Sequence, residues 1–307
     1  MRLRYQIDRL ERLPALDPLV RTLAGVWDTV LPKGRARDAL HGTWLGHPLH
    51  PALTDLPIGF WTSAWLLDLA GGEGTRTAAQ HLTGLGVLSA LPTAAAGAAD
   101  WVALGEAERP RRVGAVHAVA NGAATALYAA SWLYRRRGSH RTGVAFGMAG
   151  AAAATAGGML GGHLAYRNAV GVDRTADERG VTEWTDVGPL RELPQREPVR
   201  RTVGGVDLLL YRHGSTVRAI SATCSHFGGP LDEGRVDDEC VTCPWHGSTF
   251  RLTDGSVVSG PATAPQPAYE TRVVGRTLQV RLEPEPARER GSDDTTTATV
   301  TGASVTR

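Results

Sequence analysis

The chain has 307 residues, with 33 Lys and Arg against 31 Asp and Glu and a formal net charge of +2. That length leaves room for two modest domains, and so balanced a charge gives no footing for a nucleic-acid partner. Three cysteines are too few for a disulfide framework.

Residues 1–44 read as an N-terminal cytoplasmic or interfacial segment. Their opening, MRLRYQIDRLERLPALDPLV, carries Asp and Glu among its apolar positions, and has neither the long apolar core of an export signal nor a twin-arginine pair.

Residues 45–166 are dominated by Ala, Gly, Leu and Trp. Four apolar stretches, Leu53 to Ala70, Ala78 to Leu104, Val113 to Tyr134 and Thr142 to Tyr166, each approach the roughly 20 residues that cross a hydrocarbon core as helix. The expected fold of this part is an all-α four-helix transmembrane bundle in contact with the lipid bilayer. Trp44, Trp61, Trp65, Trp101, Tyr134 and Tyr166 fall mostly near the ends, where amphipathic rings prefer the headgroup layer. A soluble alanine-rich bundle is the alternative, but it should carry polar faces, and these stretches have almost none. Gly157 with Gly161, and Gly158 with Gly162, are spaced for close helix approach.

An up-down bundle places His47, His50, Asp55, Asp100, His117 and His163 at one membrane face, the face from which the C-terminal half emerges. Intramembrane polar groups invite a functional reading, here haem b or a metal ion, or a quinone or proton site. The plainer reading is that interfacial histidines cap helices or bond headgroups. His81 and Asp68, at the opposite face, read as structural. Lys33, Arg35, Arg37, Arg109, Arg111, Arg112, Arg167 and Arg174 favour both termini inside, while Arg135, Arg136, Arg137 and Arg141 count against. The balance favours a cytoplasmic C-terminal domain. The run GHPLHPALTDLPIGFWTSAWLLDL, with LPTAAAGAADW at 91–101, resembles a bacterial family of four-helix membrane domains over roughly residues 42–166. That resemblance implies an integral protein of a bacterial inner membrane and brings no settled activity.

Residues 167–197, with Pro189 and Pro194, read as a linker. From 198 to 284, short Val- and Leu-rich runs broken by Gly and Pro indicate a small all-β domain. Inside it stands CSHFGGPLDEGRVDDECVTCPWHGSTF. Cys224 and His226 form one arm, and Cys243 and His246 the other, across a spacer of sixteen residues. In a mixed-ligand [2Fe-2S] centre two thiolates hold one iron and two imidazoles the second. Structural zinc is the competing reading of two Cys and two His. The long spacer, the glycines near each histidine and Pro244 after Cys243 argue against it.

These two boxes, Cys224-Ser-His-Phe-Gly228 and Cys243-Pro-Trp-His-Gly247, resemble those of the Rieske iron-sulfur family, over about residues 198–284. The resemblance implies a [2Fe-2S] cluster on Cys224, His226, Cys243 and His246. It also implies tuning positions. Gly229 and Trp245 stand where high-potential relatives carry a disulfide, Ser248 where they bond a bridging sulfide, and Phe250 in place of a tyrosine that bonds a cysteine sulfur. Hydrogen bonds to sulfur favour the reduced cluster, so keeping one and losing another implies an intermediate to low potential, nearer to ferredoxins and oxygenases. Cys240 reads as a buried strand residue.

A Rieske oxygenase needs a second iron on two histidines and a carboxylate, and nothing in this chain reads as that domain. The expectation is a membrane-anchored, ferredoxin-like electron-transfer protein serving electron donor and acceptor proteins. Two alternatives stay open: a redox enzyme with haem or quinone in its bundle, and a redox sensor or assembly module. Residues 285–307, rich in Arg, Asp, Thr and Ser, read as a disordered tail.

Overall fold

The computed structural model describes residues 2–283; the expected disordered tail, 285–307, lies outside the described residues. The N-terminal half is helical throughout. Three short helices, α1 (Arg2–Glu11), α2 (Asp17–Val30) and α3 (Arg35–His41), precede four long ones, α4 (Leu49–Ala70), α5 (Glu73–Val102), α6 (Glu108–Arg136) and α7 (His140–Tyr166). The four apolar stretches thus coincide with helices. The described residues of this region hold seven α-helices, because residues 2–41, expected as one undivided segment, fold into three. In α2, Leu19, Val20, Leu23, Ala24 and Trp27 share one face, and they pack with Trp101, Leu104 and Ala115.

The long helices form two antiparallel hairpins, α4 with α5 and α6 with α7. Small residues make the seams. Gly143, Gly150 and Gly157 of α7 recur every seven residues, and a Cβ at these positions would run into Arg135, Tyr128 and Asn121 of α6, respectively. Trp61 of α4 likewise seats on Gly86 of α5, with its Nε1–H donating to the Thr83 carbonyl at 3.3 Å.

Three large contacts join α4 to α6, and all three pair residues 67 apart in sequence. His50 meets His117 edge to face, Trp61 stacks on Tyr128 at 4.0 Å, and Asp68 accepts two hydrogen bonds from Arg135 at 2.7 and 2.6 Å. The constant offset shows α4 and α6 running parallel, and the matched kinds of His50 with His117 and of Trp61 with Tyr128 mark the two hairpins as a repeat. Asp68 and Arg135 are both buried, so the pair answers the question of why an aspartate interrupts an apolar helix.

The C-terminal half is all-β. Ten strands are present: β1 (Thr185–Pro189), β2 (Pro198–Val203), β3 (Val206–His213), β4 (Thr216–Ser221), β5 (Arg235–Asp237), β6 (Cys240–Thr242), β7 (Thr249–Arg251), β8 (Val257–Ser259), β9 (Ala268–Val274) and β10 (Thr277–Leu282). They form a six-stranded sheet in the order β1-β10-β9-β4-β3-β2 and a four-stranded sheet in the order β5-β6-β7-β8, both antiparallel. Strand β3 is buried on both faces: Leu208 and Leu210 enter one core, Leu209 the other. That explains its unbroken run of leucines.

Residues 167–197 are not a free linker. β1 closes the edge of the large sheet beside β10, and Thr175 and Leu193 are buried. Gly188 and Pro189 disguise the strand in sequence, since Gly188 sits at an irregularity in the register and Pro189 ends the run.

Candidate cluster site at the junction of the two halves

Two matching loops carry the four residues of the motif. One joins β4 to the turn before β5, and the other joins β6 to β7. In the first, the Cys224 amide donates to the Gly229 carbonyl and the Gly228 amide to the Cys224 carbonyl, each at 2.8 Å. In the second, the Cys243 amide donates to the Ser248 carbonyl at 2.8 Å and the Gly247 amide to the Cys243 carbonyl at 3.1 Å. Gly228 and Gly247 take φ of +78° and +77° at equivalent points, where a side chain would be strained. Each loop thus folds back on its own cysteine and presents a histidine beside it.

The four side chains converge. Cys224 and Cys243 are buried and hydrogen-bonded to each other, and the His226 and His246 rings stand 5.2 Å apart at 84°. The hydrogen bond from Cys224 pulls the Cys243 thiol down to about 6, against the effect of burial and with help from the Trp245 and His246 backbone. The Cys224 thiol is pushed up by its neighbour Cys243 and by burial. Burial, then the nearby His246, His41 and Arg174, holds His226 down at about 3, so its ring is neutral. Thiolate and neutral imidazole are the forms that bind metal. Most telling is Nδ1 of His226, a buried nitrogen with no hydrogen-bond partner. Such an atom has a lone pair placed to serve as a ligand to iron.

The tuning positions lie close by. Ser248 is fully buried, and its Oγ accepts from the Ala262 amide at 3.0 Å, leaving its own hydrogen to donate. Phe250 is fully buried in the same core as both cysteines. A Cβ at Gly229 would stand 2.8 Å from the Cys243 sulfur and 3.2 Å from the Trp245 ring, so positions 229 and 245 are neighbours. Trp245 itself is exposed. Cys240 is half-buried in β6 and is not among the four converging residues.

The cluster end of the β half rests on the helical half. Phe227 packs against the cluster of Val20, Trp101, Leu104 and Ala115, and the Arg174 guanidinium covers its ring at 4.8 Å. The His246 ring is hydrogen-bonded to the Leu104 backbone, and a Cβ at Gly105 would lie 3.0 Å from its Nε2. Asp38 of α3 completes the seam, accepting from the Gly260 amide at 2.9 Å and from the Ser259 hydroxyl at 3.2 Å.

The histidines and aspartates of the helical half do not form one site. His50 and His117 come together. Asp100 instead bonds Nδ1 of His41 at 2.8 Å, and His163 bonds Glu11 at 2.8 Å. His47 and Asp55 are exposed. His41 and Glu11 were missed by the sequence reading, because their partners lie 59 and 152 residues away.

A family profile for the Rieske [2Fe-2S] domain matches residues 183–270, and one for a predicted membrane protein family (DUF2231) matches residues 46–174. The chain is 31% identical over 105 residues to the anthranilate 1,2-dioxygenase ferredoxin subunit of Burkholderia cepacia, a match spanning 34% of this chain and 97% of that protein. The chain belongs to the Rieske [2Fe-2S] family. A second Rieske relative, ferredoxin CarAc of Metapseudomonas resinovorans, is 37% identical over 92 residues, covering 29% of this chain and 85% of its own length. Among solved structures, the ferredoxin of carbazole 1,9a-dioxygenase from Nocardioides aromaticivorans IC177 is 30% identical, with a TM-score of 0.32 over 33% of this chain and 100% of that one. The Rieske domain of this chain is a ferredoxin-like electron-transfer domain with a [2Fe-2S] cluster.

Proposed function

We propose that this chain is a membrane-anchored carrier of single electrons, in which Cys224 and Cys243 hold one iron of the cluster and His226 and His246 the other. The observation that carries the ligand assignment is the convergence of the four side chains around the unpartnered, buried Nδ1 of His226. The cluster accepts and returns one electron at a time. The protein supplies two loops that hold the ligands in their metal-binding forms.

Anchoring by a four-helix transmembrane bundle, α4 to α7, is supported by surface character. Helices α5 and α7 are long and apolar enough to cross a membrane, and only 22% of the apolar window of α7 is buried within the protein. Leu66, Leu69, Leu88, Leu91 and Met148 point outward. A soluble core helix would bury such residues. Helices α1 to α3 and the Rieske domain then share one membrane face. Basic residues at that face, including Lys33, Arg35, Arg109, Arg111 and Arg167, outnumber Arg136, Arg137 and Arg141 at the other end and favour the cytoplasmic side of a bacterial inner membrane. Arg112 and Arg135 are each neutralised by an aspartate, Asp17 and Asp68, and favour neither side.

The electron donor and acceptor are redox proteins, as the dioxygenase ferredoxin names of the relatives suggest. The exposed Pro244 and Trp245 offer such a partner the open side of the cluster loops. The readings with haem or quinone in the bundle rest on a different observation: the outer edge of His246 faces the turn between α5 and α6, into the protein's own helical half.

The test is EPR of the full chain, purified anaerobically in detergent and reduced with dithionite. The expected spectrum has the low average g value of a mixed-ligand cluster; His226→Ala and Cys243→Ser abolish it and Cys240→Ser retains it. Zinc in place of iron in the wild-type chain would refute the assignment.

A further inference from the structure

The repeat of the two helix hairpins places one histidine pair on equivalent positions, and both members are prepared in the same way. Nδ1 of His50 is 2.9 Å from the Thr93 carbonyl, and Nδ1 of His117 is 2.9 Å from the Gly157 carbonyl. Each ring lies over a glycine four residues further along the neighbouring helix. A Cβ at Gly97 would stand 2.7 Å from His50 Nδ1 and Cε1, and one at Gly161 would stand 3.1 Å from His117 Cε1. Thr93 and Gly97 in α5 and Gly157 and Gly161 in α7 are themselves related by a single shift of 64 residues.

A ring nitrogen that donates to a backbone carbonyl fixes the tautomer and leaves Nε2 with its lone pair, which is how metal-bound imidazoles are held. The ring centres are 6.2 Å apart and the planes cross at 82°. Two imidazoles on opposite sides of one ion place their ring centres roughly 6 Å apart, given metal–nitrogen bonds of about 2.0 Å. Asn121 reaches over His117, with Nδ2 3.3 and 3.4 Å from the two ring nitrogens.

The identity of the ion follows from what is missing around it. Among the described residues, no third His, Cys, Asp or Glu joins this pair; the one metal-competent group of three is Asp8, Glu11 and His163. Two protein ligands do not complete a zinc or copper site. They do complete an iron whose four equatorial ligands arrive with it in a macrocycle. We propose that His50 and His117 are the axial ligands of a b-type haem between the two hairpins.

This inference goes beyond the electron-carrier reading and would give the cluster a neighbour within its own chain. Gly97 lies five residues, about 7.5 Å of helical rise, from the end of α5, and His246 rests on the turn that follows.

The experiment uses the full chain, expressed in cells supplied with 5-aminolevulinate and purified in detergent, with reduced-minus-oxidised optical spectra and a haem assay. The expected result is about one non-covalent haem per chain with a six-coordinate, low-spin spectrum. His50→Ala and His117→Ala should each lower haem content at least about tenfold while the cluster EPR signal, which reports folding, persists. Cys243→Ser should do the reverse, losing the cluster and keeping the haem, so the two assignments fail separately. Should an alanine variant not accumulate, His50→Met and His117→Met decide: each should keep haem with an altered axial-ligand spectrum and a raised potential. A wild-type chain that carries no haem and takes up no added haemin overturns the proposal. So does a haem spectrum that both methionine variants leave unchanged.

Discussion

At the scale of single residues, the cluster environment is set by which sulfur atoms receive hydrogen bonds. Phe250 has no hydroxyl and lies fully buried in the core that contains both cysteines. Phe250→Tyr should supply a donor toward a cysteine sulfur and raise the midpoint potential by about 60 mV, equal to about 1.4 kcal/mol for a one-electron couple and to one ordinary hydrogen bond. Protein-film voltammetry of the two proteins measures the difference; no shift, or a fall, would mean that the ring edge does not face the sulfur. The four cluster residues were legible in sequence because their chemistry is local, each pair being confined to one short loop. The state of those residues was not. The unpartnered Nδ1 of His226 and the influence of each thiol on the other arise only when loops nineteen residues apart meet.

At the scale of elements, the long helices were legible from apolar length, and β1 was not, because glycine and proline obscure a strand whose pairing partner is β10. Helices α1 to α3 escaped notice for a related reason. α1 and α3 are short and mostly polar, and α2, although its apolar face recurs at 19, 20, 23, 24 and 27, is too short to span a membrane; all three are held by packing against α5 and α6. The repeat was in principle readable, as histidine, aromatic and charged residue recur at 50, 61, 68 and at 117, 128, 135. Its charged member has a measurable consequence. Asp68→Asn leaves the Arg135 guanidinium buried without its counter-charge, and should cost about 3–5 kcal/mol, seen as a lowered Tm of the chain in detergent. Replacing both residues together by Leu and Met should recover most of that loss; a double variant as unstable as the single one would show that the pair does more than neutralise itself.

At the scale of the whole molecule, the two halves meet through a seam that includes Phe227, Arg174, His246 and Asp38. None of these contacts was readable beforehand, since each joins residues far apart in sequence and depends on how two domains face one another. Asp38→Ala removes two hydrogen bonds to a carboxylate across that seam, worth about 1–3 kcal/mol. Amide hydrogen exchange at Gly260 should accelerate by at least about tenfold while the cluster EPR spectrum stays unchanged. Protection equal to wild type would mean that Phe227 and Arg174 hold the seam unaided. The matched hairpins carry a last implication. At their equivalent positions one bears a carboxylate and the other a guanidinium. Two copies of the same hairpin would oppose like charges in a dry interior, so a homodimer of half-length chains is disfavoured. The opposite signs act as a lock and key that tells the first hairpin from the second, and require the two to be unlike.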